Sequence, residues 1–87
     1  LIDEKIYMFN ESGAMLTGWQ IVEGDWFYFD ASGAGHNGWL KSGADWYYME
    51  DGWMFYDGIF YIEAEDKYAE FNESGVWVQY VTVEVEE

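Results

Sequence analysis

The side chains able to do chemistry in this sequence are rings and carboxylates, and the rings recur at fixed spacing. Gly18-Trp19 returns as Gly38-Trp39, and the aromatic runs opened by Trp26 and Trp46 follow seven residues behind. An aromatic face attracts cations, at roughly 0.5–2 kcal/mol per ring, and needs no N–H from its ligand. It therefore suits a quaternary ammonium, which hydrogen bonds cannot hold, and it also offers a platform on which a sugar ring can stack. Trp19 and Trp26 lie seven residues apart across a turn, close enough to share a pocket. Strand alternation points the adjacent residues Trp46 and Tyr47 to opposite faces, so one aromatic strand can wall two successive pockets.

Other chemistries lack their residues. There is no cysteine, and His36, in the turn Gly35-His36-Asn37-Gly38, is the only histidine. It has no nucleophile or metal set to work with and reads as an exposed turn residue. Glu63, Glu65 and Asp66 lack the spaced Asp/Asn/Gly loop of a dedicated calcium site and read as a solvated acidic loop. Carboxylate pairs are unavoidable in so acidic a chain and carry no glycosidase signal. The glycines follow the repeat period and not a phosphate-cradling pattern. The reading is a non-enzyme with no cofactor and no metal.

Charge narrows the partner further. The net charge is −15, with 18 acidic residues against Lys5, Lys41 and Lys67. Nucleic acids and anionic membrane surfaces are repelled by such a surface. Every apolar run is interrupted by an acidic residue or a glycine before it could span a bilayer. The partner is neutral or cationic where it touches, and the carboxylates also keep an aromatic-rich surface soluble.

The elements that must position these rings come from an internal repeat. Ile6-Tyr7-Met8-Phe9, Trp26-Phe27-Tyr28-Phe29 and Trp46-Tyr47-Tyr48-Met49 recur at twenty residues, as do Gly18, Gly38 and Gly58; Tyr68 to Gly75 forms a looser copy offset by twenty-two. The expected repeats are about 5–24, 25–44, 45–66 and 67–79, with a terminal strand over 80–86, in one module spanning 1–87. Each repeat reads as a hairpin: an aromatic strand starting near Lys5, Asp25 or Asp45, a polar turn at 10–13, 30–33 or 50–52, then a stretch ending at the next glycine. Aromatics favour strands, and Gly, Asn, Asp and Ser supply turn geometry. Gly52 comes one residue early, and a bulge beyond it would restore the period at Gly58. A lone hairpin is marginal in water, whereas stacked ones share a core. The fold class is all-β, a solenoid of short hairpins. Phe9, Phe27 and Phe29 are expected in the core, with Met15 as core filler or, alternatively, the floor of a pocket. Val81, Val83 and Val85 alternate on one face of the terminal strand, which pairs with the last hairpin or with a second chain.

The segments Ser12-Gly13-Ala14-Met15-Leu16-Thr17-Gly18-Trp19 and Asp25-Trp26-Phe27-Tyr28-Phe29-Asp30-Ala31-Ser32-Gly33-Ala34, with Gly38-Trp39 leading into Asp45-Trp46-Tyr47-Tyr48-Met49, resemble the choline-binding (cell-wall-binding) repeat of Gram-positive bacteria and their phages. Related repeats occur in glucan-binding domains and clostridial toxins. The resemblance implies a β-solenoid displayed at the bacterial surface, with ligand pockets between consecutive repeats. Carried over residue by residue, one pocket is Trp19, Trp26 and Tyr47. The next is Trp39, Trp46 and, through the shifted register, Ala69 with Tyr68 adjacent. Ile6 and Ile59 replace a tryptophan in the flanking ones. Asp25 and Asp45 are candidates for an acidic pocket mouth.

Three functions remain open on the sequence: attachment to choline on teichoic acids, binding of glucan by sugar stacking on the same rings, and a structural spacer. The chain reads as a fragment of a longer extracellular protein, because it begins at Leu1 without a signal-peptide pattern.

Overall fold

The computed structural model describes residues 5–84, so Val85 and Glu86 of the expected terminal strand lie outside the described residues. No helix occurs among the described residues. Eight strands follow in order: β1 (Gly18–Val22), β2 (Asp25–Phe29), β3 (Gly38–Ser42), β4 (Asp45–Glu50), β5 (Trp53–Met54), β6 (Gly58–Ile62), β7 (Lys67–Phe71) and β8 (Trp77–Val81). Pairing is antiparallel throughout, in one sheet ordered β1-β2-β5-β4-β3 and a second ordered β6-β7-β8. The molecule is elongated, 54 × 27 × 22 Å, as a stack of hairpins must be.

The third expected hairpin, from Asp45 with its turn at 50–52, is present as β4 and β5, whereas the expected turns at 10–13 and 30–33 carry only single bridges and the full ladders lie half a unit out of phase with them. The tight pairs join each Gly-Trp strand to the aromatic strand after it: Gly18 to Phe29 and Gly38 to Met49 bound the two ladders. Their turns are the two-residue links Glu23-Gly24 and Gly43-Ala44. Glu23 and Gly24 both have positive φ, at 51° and 90°, the backbone whose twist matches the flanking strands. The Asp30–Gly33 segment, richer in turn residues, is instead the connection between hairpins. It closes on itself through Gly33 N donating to Asp30 O and Asp30 N to Ala34 O.

The third unit shows how the early glycine is absorbed. Asp51-Gly52 forms another two-residue turn, with Glu50 opposite Trp53 and Met49 opposite Met54. The short β5 also pairs with β2, through Phe27 opposite Trp53, and so ties two hairpins into one sheet. The residue lost in the turn is recovered between Met54 and Gly58, where Asp57 takes a φ of 52°. The register shift itself lies elsewhere, between Glu70 and Phe71 against β8.

Successive units are joined by backbone. Tyr28 N donates to Gly52 O, Gly52 N to His36 O, and His36 N to Tyr28 O, at 2.8, 2.9 and 3.0 Å. Asp51 N also donates to Asn37 Oδ1 at 2.8 Å. Gly35 makes this approach possible, because a Cβ there would lie 2.7 Å from the Asp51 carbonyl carbon and oxygen.

The main core lies towards the C-terminal end. Phe55, Ile62, Ala69 and Phe71 are buried, with Trp39, Tyr48, Trp53, Phe60 and Trp77 packed on them. Phe29 is fully buried and Phe27 stacks on it at 6.1 Å. Phe9, in contrast to its expected core role, is 55% exposed, and Met15 opposite it is exposed too. That pair is a single bridge with no full ladder around it; the Met15 side chain lies against Gly33 of the next unit, while Phe9 is left open to solvent. The terminal strand begins at Trp77, three residues earlier than expected, and pairs with β7; Thr82 to Glu84 continue without strand pairing, and Val83 is 48% exposed.

Two glycine substitutions separate the stacking contact from local turn strain. Gly24→Ala meets open space and only a left-handed backbone, and is expected to cost about 1 kcal/mol. Gly35→Ala forces two backbones apart and is expected to cost about 2–3 kcal/mol. Urea unfolding followed by far-UV circular dichroism measures both.

Candidate ligand pockets between hairpins

Each pocket starts from a cross-strand pair. Trp19 stands opposite Tyr28 and Trp39 opposite Tyr48, with ring centroids 5.2 and 5.1 Å apart. Directly opposed residues share a face, and so does the diagonal neighbour two positions away. Trp26 and Trp46 occupy those diagonals. Their rings stand edge-on to Trp19 and Trp39, at 6.1 Å and 85° and at 6.4 Å and 89°. Two tryptophans at right angles make a corner.

In the first pocket, Tyr47 closes the corner. It lies 5.1 Å from Trp19, and Trp19, Trp26 and Tyr47 line one cleft of about 300 Å³ together with Met54 and Ser74. The three residues carried over from the resemblance are thus brought together. Neither Asp25 nor Asp45 lines the cleft. Asp25 Oδ1 accepts a hydrogen bond from Tyr56 Oη at 3.0 Å. Asp45 is near enough to Tyr47 that, after burial, its charge is the second influence raising the phenol's pKa.

In the second pocket, Trp39 and Trp46 meet different partners from those expected. Ala69 is fully buried and Tyr68 packs on Tyr61 at 5.1 Å, away from the site. The missing ring comes from across the ladder: Tyr80, opposite Ala69, takes the place that the alanine methyl cannot fill. Trp77 adds a further wall, 6.0 Å from Trp39 and 5.2 Å from Tyr80. The cleft, about 360 Å³, is lined by Trp39, Trp46, Trp77, Tyr80 and Glu65. Lys67 Nζ lies 4.6 Å from the centroid of Tyr80 and Lys41 Nζ 5.9 Å from that of Trp46, yet neither lysine lines the cleft.

Glu65 is the residue that sequence reasoning left in solvent. Its Oε2 accepts a hydrogen bond from Trp39 Nε1 and its Oε1 one from Tyr80 Oη, both at 2.7 Å. The Tyr80 bond first, and the Trp39 bond second, hold its carboxyl below the usual glutamate range, against the opposing effect of burial. The signal was present in the twenty-two-residue offset. Two extra residues lengthen the β6–β7 turn to Glu63-Ala64-Glu65-Asp66, and that turn swings a carboxylate over the pocket. The equivalent turn beside the first pocket is only Gly43-Ala44.

His36 is likewise not a free turn residue. Its Nδ1 lies 2.7 Å from Asp30 Oδ1 and its Nε2 2.9 Å from the Trp39 carbonyl oxygen, so the ring braces the strand that carries Trp39. Ile59, where a tryptophan would open a further pocket, is 53% exposed.

The choline-binding repeat model matches residues 1–34 and, overlapping them, 16–58. The chain belongs to the choline-binding repeat family. Its fold matches choline binding protein F of Streptococcus pneumoniae with a TM-score of 0.68 at 38% identity, over 83% of this chain and 24% of that one. CbpJ of S. pneumoniae TIGR4 matches with a TM-score of 0.72 at 31% identity, over 85% and 25%. The multimodular pneumococcal cell wall endolysin from phage Cp-1, complexed with choline, matches with a TM-score of 0.68 at 25% identity, over 85% and 24%. The chain therefore spans about a quarter of the length of these proteins. No curated protein matches it.

The hydrogen bonds on Glu65 set an acid dependence. A carboxyl lowered by folding contributes stability above its unfolded pKa and loses it as pH falls through the folded value. The indole N–H resonance of Trp39 is expected to shift in acid with a midpoint below the ordinary glutamate value, read by two-dimensional NMR. Tyr80→Phe removes the larger of the two hydrogen bonds and is expected to move that midpoint upwards.

Proposed function

We propose that this chain is a non-catalytic attachment module that holds choline substituents of wall teichoic acid in two aromatic pockets at the bacterial surface. The observation that carries the reading is the convergence of Trp19, Trp26 and Tyr47 on one cleft, two rings at right angles and a third closing them. A trimethylammonium head offers a diffuse positive charge in every direction and no donor. A corner of rings answers both properties at once. Three such faces sum to about 3–5 kcal/mol, a dissociation constant on the order of millimolar per site. Several weak sites on one polymer then gain through effective concentration. The endolysin complexed with choline and the choline binding protein studied with a peptidoglycan analogue support the same class of partner. The excess of carboxylates disfavours competing phosphate while tolerating a cation.

Titration with choline under tryptophan fluorescence tests this. Trp26→Ala and Trp46→Ala are each expected to silence one pocket and leave the other. The double variant is expected to lose the response at millimolar choline while staying folded by circular dichroism. Trp26→Phe is expected to retain part of the binding, since a smaller ring keeps a weaker face. A double variant that binds like the parent would refute the pocket assignment. A parent that ignores choline and responds to glucan oligosaccharides would replace the ligand, and silence towards both would leave a structural spacer.

A further inference from the structure

The two pockets are built alike in rings and unlike in charge. Trp19, Trp26 and Tyr47 are joined by a thioether, Met54, and a neutral hydroxyl residue, Ser74. Trp39, Trp46, Trp77 and Tyr80 are joined by a carboxylate, Glu65. We propose that the Glu65 pocket binds ammonium ions that still carry an N–H, such as a protonated dimethylamino group, nearly as well as quaternary ammonium, while the other pocket is selective for the fully methylated ion. The inference rests on the reading of both clefts as cation cages.

The chemistry follows from what each wall can accept. A protonated amine entering a cage of rings leaves water and needs an acceptor for its N–H, and an uncompensated donor weakens binding. A ring face attracts the charge but is a poor acceptor, and a hydroxyl is a neutral one. A carboxylate makes charge-assisted bonds about twice as strong as neutral ones. It offers about four lone-pair sites on two oxygens. Trp39 Nε1 and Tyr80 Oη occupy one on each oxygen, which leaves capacity for a ligand. These same two bonds fix the carboxylate's position before any ligand arrives, so little ordering remains to be done on binding. They also keep the group ionised further into acid. Lys67 is near enough for its charge to act on Glu65, but neither it nor Lys41 lines the cleft; they approach the rings of Tyr80 and Trp46.

The test compares choline with N,N-dimethylethanolamine, protonated at neutral pH, which differs by one methyl replaced by one N–H. Each pocket is isolated in the full chain, the Glu65 pocket by Trp26→Ala and the other by Trp46→Ala, and read by tryptophan fluorescence and indole N–H resonances. In Trp26→Ala the two ligands are expected to bind within about threefold of each other, whereas in Trp46→Ala the dimethyl ligand is expected to bind about tenfold more weakly, the scale of one unmet donor. Adding Glu65→Gln to Trp26→Ala is expected to bring the Glu65 pocket to the selectivity of the other. Equal ligand ratios in the two pockets, or a ratio unmoved by Glu65→Gln, would overturn the inference while the choline reading stands. Failure of choline at both pockets, with dimethylethanolammonium still bound at one, would overturn the choline reading and, because the two ligands would no longer bind the Glu65 pocket alike, the inference with it. Loss of both ligands from the Glu65 pocket would overturn it. The comparison between pockets uses chains that keep Glu65, so it decides the matter even where Glu65→Gln loosens the turn.

Discussion

Everything in this fold turns on the pleat of the aromatic strand. Trp46 and Tyr47 are neighbours in the chain and so must leave β4 on opposite sides. One ring completes the corner made with Trp39; the other closes the corner made by Trp19 and Trp26 on the hairpin before. A pocket therefore never belongs to one hairpin. It exists only where two hairpins are stacked in register, and the same stacking supplies the core. The clefts and the core draw on the same set of rings, and each ring buries one side while leaving another exposed. Trp26 and Trp46 remain 43% and 42% exposed in spite of their partners.

The sequence carried the repeated part of this arrangement plainly and the departures from it poorly. That Trp19 and Trp26 could share a pocket was legible in their seven-residue spacing, whereas Tyr47 as the third wall followed from the resemblance to the choline-binding repeat. The fold class was legible in the repeat period. Hairpin phase was legible only in the third unit, at Asp51-Gly52; elsewhere Asp30-Ala31-Ser32-Gly33 has more turn chemistry than Glu23-Gly24, yet strand twist selects the shorter link when both residues can take positive φ. Tyr80 and Trp77 were missed because carry-over by repeat position pointed to Ala69, and the ring that does the work stands across the ladder from it. Cross-strand partners are set by register, and register changes wherever a turn gains or loses a residue.

Irregularity is also where the molecule acquires its asymmetry. The third unit loses a residue from one turn and gains it after Met54. The fourth gains two in the β6–β7 turn. The first change makes room for β5, which fuses the two hairpins into one sheet; the second brings Glu65 over Trp39 and Tyr80. A strictly periodic chain would have had neither. Its hairpins would have met through side chains and loop contacts alone, and its two clefts would have been chemically equal.

The bond from the Tyr28 amide to the Gly52 carbonyl has a consequence for the order of events during synthesis. The hairpin carrying Tyr28 is fully translated before Gly52 leaves the ribosome, so one of its central amides waits for an acceptor made later. Stacked repeats fold mainly through neighbour contacts. Here the Tyr28 amide has no acceptor at Gly52 until the later turn is in place. A nascent chain stalled before Asp51 would expose Trp19 and Trp26 with no Tyr47 held against them, a half-built corner attractive to chaperones and to the matching edge of another stalled chain.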